Sequence, residues 1–216
     1  MSATADPRPR IAVLDYGIGN LRSAQKALEH VGADASLTAD PHEIASAQAV
    51  VLPGVGAFGA CMDALRTCAL DTVALAAAAS GRPFLGICVG MQMLFEGSTE
   101  SPGASGLGVF PGMIDLLPGD VKRPQMQWNL LRSRGTDPLL AGLEHDAWVY
   151  FVHSYAAPDS DVCIATCDYG SDVVAMVRRD RVWATQFHPE KSGVSGLRLL
   201  ANFVELVRDD AARKVG

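Results

Sequence analysis

The sequence predicts an α/β fold built on one doubly wound, mostly parallel sheet with antiparallel additions. Two observations carry this prediction. In the first half, short apolar runs typical of buried strands alternate with segments whose apolar residues recur at helical spacing. In the second half, apolar runs follow one another without helices between them, which is typical of antiparallel strands. Of the 216 residues, 49% are hydrophobic, which is enough for a sizeable core.

The first half contains four predicted strands, at residues 11–15, 33–37, 49–52 and 84–88. Asn20 is predicted to cap the first helix, and Gly32 to end it. Helical stretches follow the third strand as far as residue 79, and a further helix runs from residue 89 to about residue 95. This alternation is the pattern of parallel strands joined by helical crossovers.

The second half is predicted to be richer in strands, at residues 112–117, 127–131, 148–155, 163–167 and 173–186. Arg179 and Asp180 are predicted to turn the last run into a hairpin, and residues 195–207 to form a closing amphipathic helix. We therefore predict one domain over residues 10–210, with a flexible tail at residues 1–9 and a second tail at residues 211–216.

Charge and cysteine usage exclude several classes of protein. The formal net charge of −6 argues against a nucleic-acid groove or an anionic membrane surface as the main partner. The longest uncharged run, residues 44–62, is broken by one proline and three glycines, so no membrane span is expected. The first ten residues lack the apolar core of a secretory signal. Five cysteines without framework spacing predict reduced thiols and a cytoplasmic protein.

The motif that indicates chemistry most directly is Gly86-Ile87-Cys88-Val89-Gly90, at a predicted strand-to-helix junction. It has the form of a nucleophile elbow with cysteine in place of serine. Glycine is needed on both sides because the turn is sharp and neighbouring strands lie close. A helix N-terminus would favour the thiolate of Cys88. The alternative is a buried cysteine in a glycine-rich turn.

A second motif, Gln186-Phe187-His188-Pro189-Glu190, pairs an imidazole with a carboxylate. In an extended chain His188 and Glu190 share a side, and Pro189 keeps His188 in extended geometry. The carboxylate can select the imidazole tautomer and stabilise the imidazolium. Alone, the pair would more often be a solvated strand end. Together with Cys88 it supplies a base and an orienting group.

A glycine-rich loop follows the third strand, and Gly54, Gly56 and Gly59 in it match a dinucleotide-binding pattern. That interpretation fails, because the loop does not follow the first strand and no acidic residue lies between residues 72 and 95 to hold a ribose. An oxyanion hole made of backbone N–H groups is a better use of the loop, and a simple turn is the alternative. The scattered histidines have no ligand spacing, so neither a metal nor a cofactor is predicted. His153, within an apolar strand, is expected to be a packed or hydrogen-bonded histidine.

The elbow and the Phe187-His-Pro-Glu190 motif resemble those of the class I (triad) glutamine amidotransferases, over about residues 11–207. Further segments are similar to the glutaminase subunits of imidazole glycerol phosphate synthase, which act in histidine biosynthesis. These segments are Asp15-Tyr-Gly-Ile-Gly-Asn20, Pro53-Gly-Val-Gly56, Met126-Gln-Trp-Asn129, Phe151-Val-His-Ser-Tyr155 and His188-Pro-Glu-Lys-Ser192. The resemblance implies a flavodoxin-like three-layer fold and a glutaminase.

The resemblance implies a role for each matching residue. Cys88 would attack the side-chain amide of glutamine, His188 would carry the proton to the leaving ammonia, and Glu190 would orient His188. Water would then hydrolyse the thioester. The oxyanion would be met by the backbone N–H groups of Val55 and Val89. The positions implied for holding glutamine are Gly54, Gly56, Gln92, Glu100, Ser154 and Tyr155.

The resemblance also implies a partner, a (β/α)8-barrel cyclase subunit that receives ammonia in a heterodimer. The matching interface positions are Met126, Trp128, Asn129 and Tyr150, with core packing as the alternative for Trp128. Such subunits hydrolyse glutamine slowly until the cyclase is liganded. This chain departs from the usual pattern at Gln127, where glycine is commonest, which puts the partner contact in doubt.

Three rival functions remain open at this point. A different ammonia-donating subunit with the same triad, such as the pyridoxal phosphate synthase glutaminase, would not be expected to carry Val152-His-Ser-Tyr155 or Trp128-Asn129. A scaffold of the same fold would be expected to have lost a member of the triad. A cysteine hydrolase with another substrate would be distinguished by whether a glutamine-like electrophile labels Cys88.

Overall fold

Strands and helices alternate in the first half of the chain. The computed structural model describes residues 8–143 and 147–213, with side chains as far as residue 210. The strands are β1 (Arg10–Leu14), β2 (Asp34–Thr38), β3 (Ala49–Gly54), β4 (Phe84–Cys88) and β5 (Gly97–Ser98). The helices are α1 (Leu21–His30), α2 (Pro41–Ser46), α3 (Phe58–Thr67), α4 (Leu70–Ala79) and α5 (Val89–Met93). The four predicted strands are present, and so are the predicted helices, although α5 ends two residues early.

The second half consists mainly of strands. They are β6 (Met113–Leu116), β7 (Gln125–Leu130), β8 (Arg132–Ser133), β9 (Trp148–His153), β10 (Tyr155–Ala156), β11 (Cys163–Asp168), β12 (Asp172–Arg179) and β13 (Val182–Thr185). Short 3-10 turns occur at Pro138–Leu140 and Pro189–Lys191, and α6 (Gly193–Arg213) closes the fold. The strand predicted at residues 148–155 is interrupted at Ser154. The last hairpin turns at Asp180, whose φ is +52°.

The central sheet has eight strands in the order β2-β1-β3-β4-β13-β12-β11-β8. The first five are parallel, and β12, β11 and β8 continue the sheet antiparallel. Every residue of β3, β4 and β13 is buried, as expected for strands covered on both faces. The predicted fold class, parallel with antiparallel additions, is therefore confirmed.

Two smaller sheets flank the central one. Strands β10, β6 and β5 form one of them, and β7 pairs antiparallel with β9 as a two-stranded ribbon. In the ribbon, Val149 and Phe151 of β9 are buried, so one face of that strand packs on the core. The ribbon ends beside the carboxyl ends of β3 and β4, where functional sites of such sheets are usually found.

The predicted domain limits meet the described residues only in part. Helix α6 continues to Arg213, into the range predicted as a C-terminal tail. Residues 1–7 of the predicted N-terminal tail, and residues 214–216, lie outside the described residues. All five cysteines are unpaired, with Cys68 exposed and the others buried. Within residues 8–143 and 147–213, no helix is both long and apolar enough to cross a bilayer.

Candidate active site

Cys88 lies at the junction of β4 and α5 in a backbone conformation that L-residues rarely adopt. Its φ is +56° and its ψ is −115°. Such a conformation costs about 1–3 kcal/mol and persists only where the surroundings impose it. Its side chain lines a cavity, although the residue as a whole is 3% exposed. This is the geometry that the elbow motif predicts.

The glycines on either side of Cys88 are required by close packing. A Cβ on Gly90 would lie 1.9 Å from the carbonyl oxygen of Leu52, and a Cβ on Gly86 would lie 2.9 Å from the Leu94 side chain. Neither glycine has a positive φ, so space and not conformation excludes a side chain here. The turn around Cys88 is therefore pressed against β3 and cannot relax towards it.

We expect Gly90→Ala to destabilise the fold by about 3 kcal/mol or more, because its Cβ meets main chain that cannot rotate away. Thermal unfolding measures the loss. Gly59→Ala is the matched control, since its Cβ would meet the rotatable Ser101 side chain at 2.8 Å. Equal melting temperatures for the two variants would contradict the packing argument.

His188 and Glu190 form a buried pair next to Cys88. The Nδ1–H of His188 donates to Glu190 Oε1 at 2.8 Å, and both side chains are 2% exposed. The solvated alternative is therefore wrong. The local geometry also differs from the prediction: His188 is extended, with φ −97° and ψ 97°, but Glu190 lies in the 3-10 turn Pro189–Lys191. The turn, and not an extended strand, brings the carboxylate back to the imidazole.

The surroundings of His188 favour its charged form. Burial alone would lower the pKa of His188, but its hydrogen bonds to Cys88 and Glu190, and the charges of both, raise the pKa to about 9. Because Nδ1 is engaged by Glu190, the nitrogen that faces Cys88 is Nε2. The arrangement favours the imidazolium form of His188 at neutral pH.

Three further residues support the triad in ways that the sequence analysis missed. Asn20 stands at the N-cap of α1 but makes no side-chain capping bond, which corrects the predicted role. Its Nδ2 donates instead to Glu190 Oε1 at 3.3 Å. Gln186 Nε2 lies 4.0 Å from Cys88 Sγ, and Ser192 Oγ donates to the His188 carbonyl oxygen at 2.6 Å. The sequence could have indicated Gln186, because an amide that follows an apolar strand directly before His188 is expected to be buried and to need hydrogen-bond partners.

A cavity of about 560 Å³ opens in front of Cys88. Its lining is Gly19, Asn20, Val55, Gly56, Cys88, Val89, Gln92, Glu100, Pro124, Val152, His153, Ser154, Tyr155, His188 and Lys191. The structure thus brings together all but one of the residues predicted for the oxyanion hole and for glutamine. The exception is Gly54, which does not line the cavity. A Cβ there would lie 2.6 Å from the Gly90 nitrogen, so Gly54 permits close packing of β3 against α5.

Two polar side chains of the lining already have protein partners. Glu100 Oε2 accepts from the Phe58 N–H at 2.8 Å, which leaves its other oxygen for a ligand. Gln92 Nε2 donates to the Tyr155 carbonyl oxygen at 3.0 Å and to Gln186 Oε1 at 3.1 Å. A ligand contact of Gln92 would therefore go through its own Oε1.

His153 is the second imidazole of the cavity. Its Nδ1 lies 2.8 Å from the Tyr155 carbonyl oxygen and its Nε2 lies 2.9 Å from Gln125 Oε1. Burial lowers the pKa of His153 to about 4. It is a hydrogen-bonded histidine of the strand, as predicted. Among the described residues, no cluster of three or more histidine, cysteine or acidic side chains is placed to hold a metal.

The positions predicted for a partner interface lie on the ribbon of β7 and β9, next to the His188 turn. Trp128 is 47% exposed, so the core-packing alternative for it is wrong. Its ring contacts Tyr150 edge-on with centroids 6.0 Å apart. Met126 is 62% exposed, and because alternate strand residues share a face, it lies on the same face as Trp128.

Asn129 lies on the opposite face of the ribbon from Trp128, which separates it from the other predicted interface positions. Its Nδ2 donates to the Asp168 carbonyl oxygen at 2.7 Å. Gln127 shares that opposite face and pairs with Phe151 in an extended strand without positive φ. The strand therefore accommodates glutamine at position 127. The side chain of Gln127 lies on the face of the ribbon opposite to Trp128, so it does not alter the Trp128 face.

Comparison with known proteins agrees with this architecture. The family model for class I glutamine amidotransferases matches residues 12–206, so the chain belongs to that class. The HisH subunit of imidazole glycerol phosphate synthase from Methanothermobacter thermautotrophicus is 49% identical over 92% of this chain and 99% of the relative.

Other relatives carry the same description. The HisH subunit from Synechococcus elongatus is 51% identical over 92% of this chain and 94% of the relative, and that from Thermococcus kodakarensis is 50% identical over 91% and 100%. The chain therefore belongs to the HisH family of imidazole glycerol phosphate synthase subunits, and it is an enzymatic glutamine amidotransferase subunit of histidine biosynthesis.

Solved structures support the fold. A protein from Thermoplasma acidophilum, described as a GMP synthase subunit, has a TM-score of 0.72 at 20% identity, covering 97% of this chain and 98% of that one. The PurLQS structure from Thermotoga maritima has a TM-score of 0.73 at 22% identity, covering 92% and 99%. At these identities the likeness concerns the fold alone.

Proposed function

We propose that this chain hydrolyses the side-chain amide of glutamine at Cys88 and delivers the ammonia to a cyclase subunit. The observation that carries the proposal is the strained Cys88, which faces a cavity beside the buried His188–Glu190 pair. Nothing else in the cavity combines a nucleophile with a charged acid–base partner, within the part of the chain that is described. The elbow, the pair and the family agree on this chemistry.

The reaction begins with attack of the Cys88 thiolate on the amide carbon. The proton held by His188 Nε2 passes to the departing nitrogen, so that ammonia leaves and a thioester remains. Water, deprotonated by the now neutral His188, then attacks the thioester, which releases glutamate and restores the thiolate–imidazolium pair. Glu190 keeps the tautomer and orientation of His188 through the bond to Nδ1.

The oxyanion formed in both steps needs N–H donors at the cavity wall. Val89 follows the nucleophile at the first turn of α5, and Val55 faces it from the end of β3. We assign the two donors to the backbone N–H groups of these residues. Both residues line the cavity together with Cys88, which supports the assignment.

Glutamine itself would be held at the rim of the cavity. The free oxygen of Glu100 is suited to the ammonium group of the substrate, because the ion pair would be partly desolvated there. Gly56, Ser154 and Tyr155 line the same space, and Gln92 Oε1 is the remaining acceptor. An amino acid the size of glutamine fits a cavity of this volume.

The partner proposal rests on the exposed apolar face of the ribbon. Trp128, Met126 and Tyr150 form a contiguous patch, and the Trp128 ring lies 3.8 Å from the position of a Cβ on Gly193. Gly193 begins α6, just after the 3-10 turn that carries Glu190. We propose that the cyclase covers this patch in a heterodimer, so that ammonia is released into the complex and not into solvent.

The experiment that tests the function measures glutamate released from glutamine by the purified chain, alone and with the cyclase and its ligand. Strong stimulation in the complex is the expected result. Hydrolysis that the cyclase does not change would keep the triad chemistry but assign it to another partner. A folded chain without hydrolysis in either state would contradict the proposal.

We expect Trp128→Ala to weaken cyclase binding at least 10-fold, because exposed tryptophans at interface centres often carry much of the binding energy. Isothermal titration against the cyclase measures the change in Kd. Leu75→Ala is the matched control, since Leu75 is an exposed apolar residue of α4, 39% exposed. Equal Kd values for the two variants would place the interface elsewhere.

A further inference from the structure

Two buried side chains hold the strand end that faces Cys88. The hydroxyl of Tyr16 donates to the Pro53 carbonyl oxygen at 2.6 Å, and the thiol of Cys61 donates to the Val55 carbonyl oxygen at 3.2 Å. Tyr16 is 2% exposed and Cys61 is fully buried. They come from the loop after β1 and from the first turn of α3, so two separate elements hold one short segment.

The two bonds fix the peptide groups on either side of Gly54–Val55. The Pro53 carbonyl belongs to the peptide before Gly54, and the Val55 carbonyl belongs to the peptide after Val55. With both held, the peptide between them is left to turn about only two torsions, ψ of Gly54 and φ of Val55. That peptide carries the Val55 N–H.

The surroundings keep this peptide near Cys88. A Cβ at residue 54 would lie 2.9 Å from the Val89 carbonyl carbon, so the backbone of Gly54 is packed against the turn that follows the nucleophile. Gly56, on the other side, has φ +92° and open space around it. The backbone of this segment is therefore closely packed at Gly54, whereas Gly56 has room to change its conformation.

Both Tyr16 and Cys61 keep their hydrogens. Burial raises the pKa of Tyr16 well above its usual range, and burial also raises the pKa of the Cys61 thiol. The two side chains are within hydrogen-bonding reach of each other. A protonated thiol donates to a carbonyl, whereas a thiolate could not.

We propose that Tyr16 and Cys61 are positioning residues for the oxyanion donor, holding the Pro53 and Val55 carbonyls so that the Val55 N–H is aimed at the oxygen of the tetrahedral intermediate. The inference deepens the proposed glutamine hydrolysis and rests on it. Neither residue touches glutamine. Their effect should appear in the chemical steps and not in substrate binding, because the oxyanion exists only after attack.

The test compares Cys61→Ala, which removes the donor, with Cys61→Ser, which keeps one, in the complex with the liganded cyclase. Cys61→Ala should lower kcat for glutamine hydrolysis about 10-fold or more, with KM changed less than about 3-fold. A small displacement of an oxyanion donor is enough to reduce the rate by this factor. The serine variant should recover most of kcat. Cys163→Ala is the matched control, because Cys163 is buried and donates to the Ala165 carbonyl oxygen away from the cavity.

A second readout separates positioning from general disruption. Alkylation of Cys88 by iodoacetamide, followed by peptide mass spectrometry, needs the thiolate but no oxyanion donor. Cys61→Ala should therefore alkylate at the wild-type rate while hydrolysing slowly, and Tyr16→Phe should behave likewise. Slowed alkylation would overturn the proposal, because it would mean that the elbow itself has been disturbed.

The outcomes distinguish this inference from the proposed function. If the wild-type complex does not hydrolyse glutamine, the proposed function fails. If the wild type is active and the kcat of Cys61→Ala equals that of Cys163→Ala, the positioning role fails while the function stands. A serine variant as slow as the alanine variant would also overturn the positioning role, since the hydrogen-bond donor would then not be what matters.

Discussion

Cys88→Ala is expected to abolish glutamine hydrolysis in the complex, lowering kcat by at least about 10⁴-fold. Loss of the nucleophile leaves only water activated by His188, and removal of the nucleophile alone from such a triad costs about as much as removal of the whole set. The fold should survive, because alanine is smaller than cysteine and is no more strained than cysteine at a φ of +56°. Glutamate release with the liganded cyclase measures the effect.

The same variant should still bind the cyclase and support synthesis from added ammonium salts at alkaline pH. Only the source of ammonia is lost, and free ammonia needs no thioester. Cys68→Ala is the control for general effects of removing a thiol, since Cys68 is exposed and outside the cavity. Substantial glutaminase activity in Cys88→Ala would mean that another residue is the nucleophile.

The parallel half of the fold was predictable because its strands are buried on both faces. Residues 84–88, for example, form an uninterrupted apolar run, and the structure places β4 there with every residue buried. Helix α2 was not predicted, since it has only six residues and is held by Asp40, whose side chain accepts from the His42 N–H. Strands β5 and β8 have two residues each, too few for any periodicity to be visible.

The approach of Cys88, His188 and Glu190 to one another was predictable because their local patterns are strict. An elbow needs glycines at fixed positions around Cys88, and the pair of His188 and Glu190 is close in sequence. The contact between Asn20 and Glu190 joins residues 170 positions apart, and no local pattern encodes it. The Asn20 position looked like a helix cap, which is what most asparagines before a helix are.

The ribbon shows where a family pattern and geometry diverge. Trp128 and Asn129 are adjacent in sequence, and the resemblance predicted both as interface positions. In a strand, however, neighbours point to opposite faces, and the structure directs Asn129 to the Asp168 carbonyl. Pairing register decides which member of such a motif can meet a partner on the Trp128 side, and register depends on β9, which is distant in sequence.

Glu190→Gln tests whether the carboxylate sets the charge state of the triad. The substitution keeps the size of the side chain and removes its negative charge. Because the Glu190 charge is among the causes that raise the pKa of His188 to about 9, its loss should lower that pKa. Less imidazolium is then present at neutral pH to protonate the departing nitrogen, and we expect kcat/KM for glutamine to fall about 100-fold or more.

The pH titration of the His188 ring, followed by NMR, isolates this charge effect from the rest of catalysis. In the wild type the imidazolium persists up to about pH 9, so the ring should titrate near that pH. In Glu190→Gln the ring should titrate at a lower pH, because the negative charge that favours the imidazolium has been removed. Glu205→Gln, at an exposed position of α6, removes the same charge far from the triad and should match the wild type. If the Glu190→Gln profile coincided with that of the control, Glu190 would act only on the position of His188, and its charge would not be part of the mechanism.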